Sequence, residues 1–142
     1  MTNILKISEA ASLALHTAVL LAADSSKLIP TKNLASTLHA SEAHLSKVLQ
    51  RLEKSGIVES TRGPKGGFRL RKSGDEITLL DVYEAIDGKL SSGNCLLGER
   101  ICNGNCIMGK LLCDLKRQVK DYLVQTKLIT LTSVYRSKET DA

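Results

Sequence analysis

Cysteine is the residue type whose spacing most invites chemistry in this chain. All four copies, Cys95, Cys102, Cys106 and Cys113, fall within nineteen residues of a Gly/Asn-rich segment. Cysteines dispersed through a sequence usually serve as small apolar core residues. Collected in this way they read as a thiolate set for a metal or a cluster. A pair of disulfides or a chance grouping is the alternative.

The chain around them has 142 residues, enough for one core with an appended helical arm. Its 42% apolar content is that of an ordinary globular protein. With one Phe, three Tyr and no Trp, it lacks the aromatic platforms of stacking-based single-strand binders. No targeting segment is visible. The apolar run 10–23 is interrupted by Ser12, His16 and Thr17, closed by Asp24, and too short to span a bilayer. The expected compartment is the cytosol, where disulfides rarely persist.

Charge is localised. Between Ser41 and Lys72 stand eight Lys/Arg (Lys47, Arg51, Lys54, Arg62, Lys65, Arg69, Arg71, Lys72) against three acids (Glu42, Glu53, Glu59). That difference equals the net charge of +5, so the rest of the chain is balanced. A local positive field points to a polyanion partner, with a solvated basic face as the plainer reading.

Periodicity places these charges. Ser8 is a plausible N-cap for a helix over 8–23, with Ile7, Ala11, Ala14, Leu15, Ala18, Leu21 and Ala22 inward. Pro30-Thr31 opens a short helix to Leu38, and a break follows at His39-Ala40. Ser41 then caps a third helix, whose stripe Leu45, Val48, Leu49 and Leu52 faces the core. Ser55-Gly56 ends it. Strands at 57–61 and 68–71 flank the turn Arg62-Gly63-Pro64-Lys65-Gly66-Gly67. This order predicts a mostly α (α+β) winged helix-turn-helix, with residues 41–54 entering the major groove and the 62–67 loop reaching the adjacent backbone or minor groove. The candidate contacts are Ser41, His44, Lys47, Gln50 and Arg51 on the helix, and Arg62, Lys65, Gly66 and Arg69 on the wing.

Thr78 and Asp81 form a capping box opening a helix to Ile86, which Gly88 stops. A final helix, expected to be the longest element, is read over 107–127. Met108, Leu112, Leu115, Val119, Tyr122 and Thr126 follow coiled-coil spacing there, widened by Leu111 and Leu123. Such a face predicts pairing with a second copy; packing back on its own domain is the alternative. Residues 128–135 are read as a last turn against the body. The expected organisation is a DNA-binding domain over 1–90, a cysteine loop over 91–106, a dimerisation helix and turn over 107–135, and a frayed tail over 136–142.

With these residues in place the chain resembles the Rrf-two family of bacterial winged-helix transcription regulators, in particular its IscR- and NsrR-like members. The resemblance rests on Leu13-Ala14-Leu15, the run from Ser46 to Leu52, the wing from Gly63 to Phe68, and the run from Ile77 to Gly88, in order over residues 5–125. It implies a homodimer joined through the C-terminal helix and bound to a partly palindromic double-stranded operator. It also implies an iron–sulfur cluster, two-iron or four-iron, on Cys95, Cys102 and Cys106. The gap between Cys102 and Cys106 is tighter than the family pattern. If the last helix ran back to Cys106, Cys113 would lie about 10.5 Å along it, a long reach for a shared cluster, so Cys113 is read as a helix thiol. The family position for a histidine ligand on the long helix is Gly109 here. The fourth ligand is therefore sought on the partner's first helix, at His16 or, as a weaker candidate, Glu9.

The implied function is a repressor whose operator affinity follows cluster state under redox, nitric oxide or iron–sulfur supply. The alternative is a cluster-free regulator using the cysteines as a thiol switch or a zinc site. An electron carrier would leave the basic winged helix without a role. An enzyme is not expected: Cys-x-x-Cys is missing, and the glycine loop precedes a strand instead of a helix.

Overall fold

Ser8 starts the first helix, α1 (Glu9–Ala23), its hydroxyl accepting the Ala11 N–H at 3.0 Å. The structure is a computed structural model and describes residues 7–90, 107–108 and 110–136. α1 is the central helix of the body. Ala11, Ala14, Ala18 and Ala22 are buried on it, and these short side chains let neighbouring elements approach closely on several sides. α2 (Thr31–Leu38), α3 (Glu42–Lys54) and α4 (Leu79–Asp87) all pack against it.

The turn between α2 and α3 is made by His39, which takes a left-handed conformation (φ 51°) and donates its N–H to the carbonyls of Ala35 and Ser36. Ser41 follows as the N-cap of α3, accepting the His44 N–H at 3.2 Å. Leu45, Val48, Leu49 and Leu52 are almost completely enclosed. Each such side chain contributes about 2 kcal/mol of burial before entropy is counted, which fixes which face of α3 is left outside.

β1 (Val58–Thr61) and β2 (Gly67–Leu70) form an antiparallel hairpin in the register Val58↔Leu70, Glu59↔Arg69, Ser60↔Phe68 and Thr61↔Gly67. Sequence patterning did not show a third participant. Ile29 bridges Phe68, each donating its N–H to the other's carbonyl at 2.9 Å. Because of this, the turn end of β2 is tied to Ile29, just before the Pro30 cap of α2.

α4 opens on a complete capping box: Thr78 Oγ1 accepts the Asp81 N–H at 3.2 Å, and the Asp81 carboxylate accepts the Thr78 N–H at 3.0 Å. Burial pushes the Tyr83 hydroxyl above its usual pKa, with Asp87 and Glu84 adding to the effect.

The last helix departs from the expected span. α5 covers Leu111–Gln125, begins beyond Gly109, and at fifteen residues only equals α1. Glycine costs a helix interior about 1 kcal/mol relative to alanine, and Lys110 provides no side-chain cap. At the other end the backbone leaves the helix to pair: Leu79 donates to Thr126, Leu128 to Ile77 and Ile129 to Gly74, each at 3.0 Å. A 3₁₀ turn (Leu128–Leu131) and α6 (Ser133–Arg136) follow. Leu128 is fully enclosed. Arg136 thus ends a helix instead of starting a tail, and 137–142 lie outside the described residues.

Candidate nucleic-acid interface

Burial of the leucine–valine stripe leaves Ala43, His44, Lys47, Gln50, Arg51 and Lys54 exposed on α3. They recur three and four apart and so share the outward surface. Ser41 is exposed too, but its hydroxyl is engaged as the helix cap. Arg51 differs from its neighbours, because its Nη2 donates to the main-chain carbonyl of Ile86 on α4.

The wing owes its shape to two glycines. The turn closes with Gly66 N–H donating to Gly63 O at 2.9 Å. A Cβ on Gly66 would lie 2.1 Å from the Thr61 carbonyl oxygen, and one on Gly67 would lie 2.6 Å from the Ile29 carbonyl carbon. Gly66 is therefore a turn former, and any part it plays toward DNA goes through its backbone. Arg62, Pro64 and Lys65 stand exposed around the turn.

Two of the three acids of the region, Glu59 and Glu53, are occupied. Arg69 Nε meets Glu59 Oε1 at 2.6 Å across the hairpin, while Ser60 Oγ donates to Glu53 Oε1 at 2.6 Å. Among the described residues the ion pairs are Lys27–Asp24 and Arg69–Glu59. Lys47, Lys54, Arg62 and Lys65 have no carboxylate partner among the described residues. Sequence reading placed no contact on α2, yet Lys32, Asn33 and Ser36 are exposed there. The signal lay in its strong amphipathicity, with only Leu34 and Ala35 buried.

Cys95, Cys102 and Cys106 lie outside the described residues. Cys113 is a free, half-buried thiol in the first turn of α5. The estimate of its distance from Cys106 along a continuous helix does not apply, since α5 starts at Leu111. No group of three His, Cys, Asp or Glu suited to a metal occurs among the described residues. His16 is exposed on α1, its Nδ1 2.7 Å from the Ser12 carbonyl oxygen. A carbonyl only accepts, so Nδ1 donates in this contact, and in the neutral ring that tautomer leaves Nε2 as the acceptor. That nitrogen suits a metal or cluster ligand. Glu9 is exposed about two turns earlier on the same helix.

A helix pair with a tight turn, an exposed basic face on the second helix and a glycine-shaped hairpin define a winged helix-turn-helix DNA-binding protein. The family model Rrf2, described as "Iron-dependent Transcriptional regulator", matches residues 7–134. The chain belongs to this Rrf2 (Rrf-two) family of transcriptional regulators, which are not enzymes. The regulator IscR of Pectobacterium carotovorum is 33% identical over 113 residues, covering 78% of this chain and 66% of that protein. NsrR of Bacillus licheniformis is 34% identical over 77 residues, 54% of each. The chain thus spans about two thirds of the length of one and half of the other. The solved structure of CymR, the global cysteine regulator of B. subtilis, superposes with a TM-score of 0.79 at 29% identity, covering 92% of this chain and 98% of that one. No helix among the described residues is long and apolar enough to cross a membrane.

Proposed function

We propose that this protein is a homodimeric repressor that reads a partly palindromic operator and responds to an iron–sulfur cluster. The observation that carries the DNA-reading part is the coincidence of the unpaired cations Lys47, Lys54, Arg62 and Lys65 with the exposed face of α3 and the wing. In this reading α3 lies in the major groove, with His44, Lys47 and Gln50 toward base edges and phosphates. Arg62 and Lys65 meet the flanking backbone, and Lys32 and Asn33 of α2 an adjoining phosphate. Arg69, held by Glu59, contributes less.

Cys95, Cys102 and Cys106 would supply thiolates, and Nε2 of the exposed His16 on the partner subunit's α1 would complete the set. Glu9 is the second choice, and Cys113 the third. Bound there, the group supplies a redox- and nitric-oxide-reactive centre. This chain's own part is to connect that centre to α4 on one side and α5 on the other. A change at the cysteine segment then biases the spacing of two recognition helices, on which half-site reading depends.

One observation favours a second reading, a cluster-free thiol switch. The structural match with CymR is close, and that protein is named for cysteine regulation. Anaerobic purification with visible absorption and iron, sulfide and zinc analysis divides the two. Wild type should carry iron and sulfide, single Ala replacements of Cys95, Cys102 or Cys106 should lose them, and His16→Ala should hold a more labile centre. Colourless, iron-free wild type would end the cluster reading.

A further inference from the structure

Arg51 stands on α3 where a DNA contact was expected, yet its guanidinium turns back into its own subunit. Nη2 donates to the carbonyl of Ile86, in the last turn of α4. Carbonyls of a last helical turn lack intrahelical donors, and the aligned peptide dipoles leave partial negative charge there. α4 has no basic residue in its own last turn, so Arg51 brings the favoured cation from another helix. The next residue does the converse. The Asp87 carboxylate accepts the Ser8 N–H at 3.1 Å and the Ser8 hydroxyl at 2.5 Å, putting negative charge at the positive end of α1. A serine hydroxyl has one hydrogen and two lone pairs; Ser8 gives the hydrogen to Asp87 while accepting from Ala11. Two consecutive residues, Ile86 and Asp87, therefore join the start of α1, the end of α4 and the outer half of α3.

We propose that Arg51 is a positioning residue for DNA reading and not a DNA contact. By gripping Ile86 it sets the angle at which α3 presents His44, Lys47 and Gln50, while the Asp87–Ser8 pair steadies the carbonyl it grips. The inference rests on α3 being the recognition helix.

The test compares full-length wild type with Arg51→Met, Lys47→Met, Asp87→Asn and the Arg51→Met/Asp87→Asn double variant. The probes are a duplex selected by wild type from a random-sequence pool and an unselected duplex, each titrated across a salt series. Lys47→Met should weaken both duplexes and flatten the slope of log affinity against log salt by about one. Arg51→Met should weaken the selected duplex about tenfold, leaving the unselected duplex and the salt slope as in wild type. Asp87→Asn should weaken the selected duplex alone and add nothing in the Arg51→Met background. A flattened slope for Arg51→Met, with equal loss on both duplexes, makes Arg51 a phosphate contact and overturns the proposal, as do additive losses in the double variant. If Arg51→Met does not fold, Asp87→Asn decides: unchanged affinity for the selected duplex overturns the clasp. Wild type enriching no sequence from the pool overturns the DNA-reading role itself, an outcome seen before any variant is compared.

Discussion

Arg62 and Lys65 owe their exposure to the glycines beside them. With no Cβ, Gly67 lets the turn end of β2 press against the Ile29–Pro30 peptide, and Gly66 lets the turn fold back over Thr61. Any side chain at either position displaces backbone, and the wing cations move with it. Arg62, without a carboxylate partner among the described residues, gives the cleanest readout of the wing. Arg62→Ala should weaken operator binding several-fold at near-physiological salt and reduce the salt slope by about one, while the thermal midpoint stays put. Unchanged affinity in a mobility-shift or anisotropy titration would remove the wing from the contact surface. The charges and the wing glycines were legible in the sequence as a basic loop with turn chemistry. That Arg51 and Arg69 are engaged within the protein was not, because both partnerships depend on residues brought together by folding.

At the scale of elements, α4 shows how far local chemistry reaches. Thr78 and Asp81 sit three apart, as a capping box requires, and both of its hydrogen bonds form. Thr78→Ala should destabilise the fold by about 1 kcal/mol, read in denaturant titrations as a lower midpoint with an unchanged slope; a neutral result would mean that burial of Val82 and Ile86 carries the helix end unaided. α5 shows the converse. Its apolar periodicity ran on past both real ends, since a stripe marks where a helix can bury a face and not where the backbone stops. The start, at Leu111, follows an N-cap Lys110 that makes no side-chain cap. The finish is set by hydrogen bonds from Leu79, Leu128 and Ile129 across to residues distant in sequence, which no local pattern encodes.

For the whole molecule the question is what covers α5. Leu123 is its buried residue, with Val119 packed against the same core. Leu111 and Tyr122 remain 51% and 58% exposed, although they belong to the apolar stripe. The helix therefore packs back on its own body and still offers a face, so the two readings of its sequence are not exclusive. If that face joins two copies, Leu111→Lys combined with Tyr122→Lys should halve the mass seen by sedimentation at micromolar concentration and abolish binding to a two-half-site operator, with the single-chain fold intact by circular dichroism. An unchanged mass would place the dimer contact elsewhere.

Helix order, the caps, the inward stripe of α3 and the basic wing follow from local sequence alone. Each is a consequence of side-chain period or of residues within four positions of one another, and such signals survive without a tertiary frame. Folding adds what local sequence does not carry: Ile29 joins the hairpin, Lys127 just beyond α5 bridges to Thr78, and the cation of Arg51 meets the end of α4. In each case the partner lies tens of residues away. The bond forms because burial of the core has already brought two backbone ends, or a backbone end and a cation, within reach of one another.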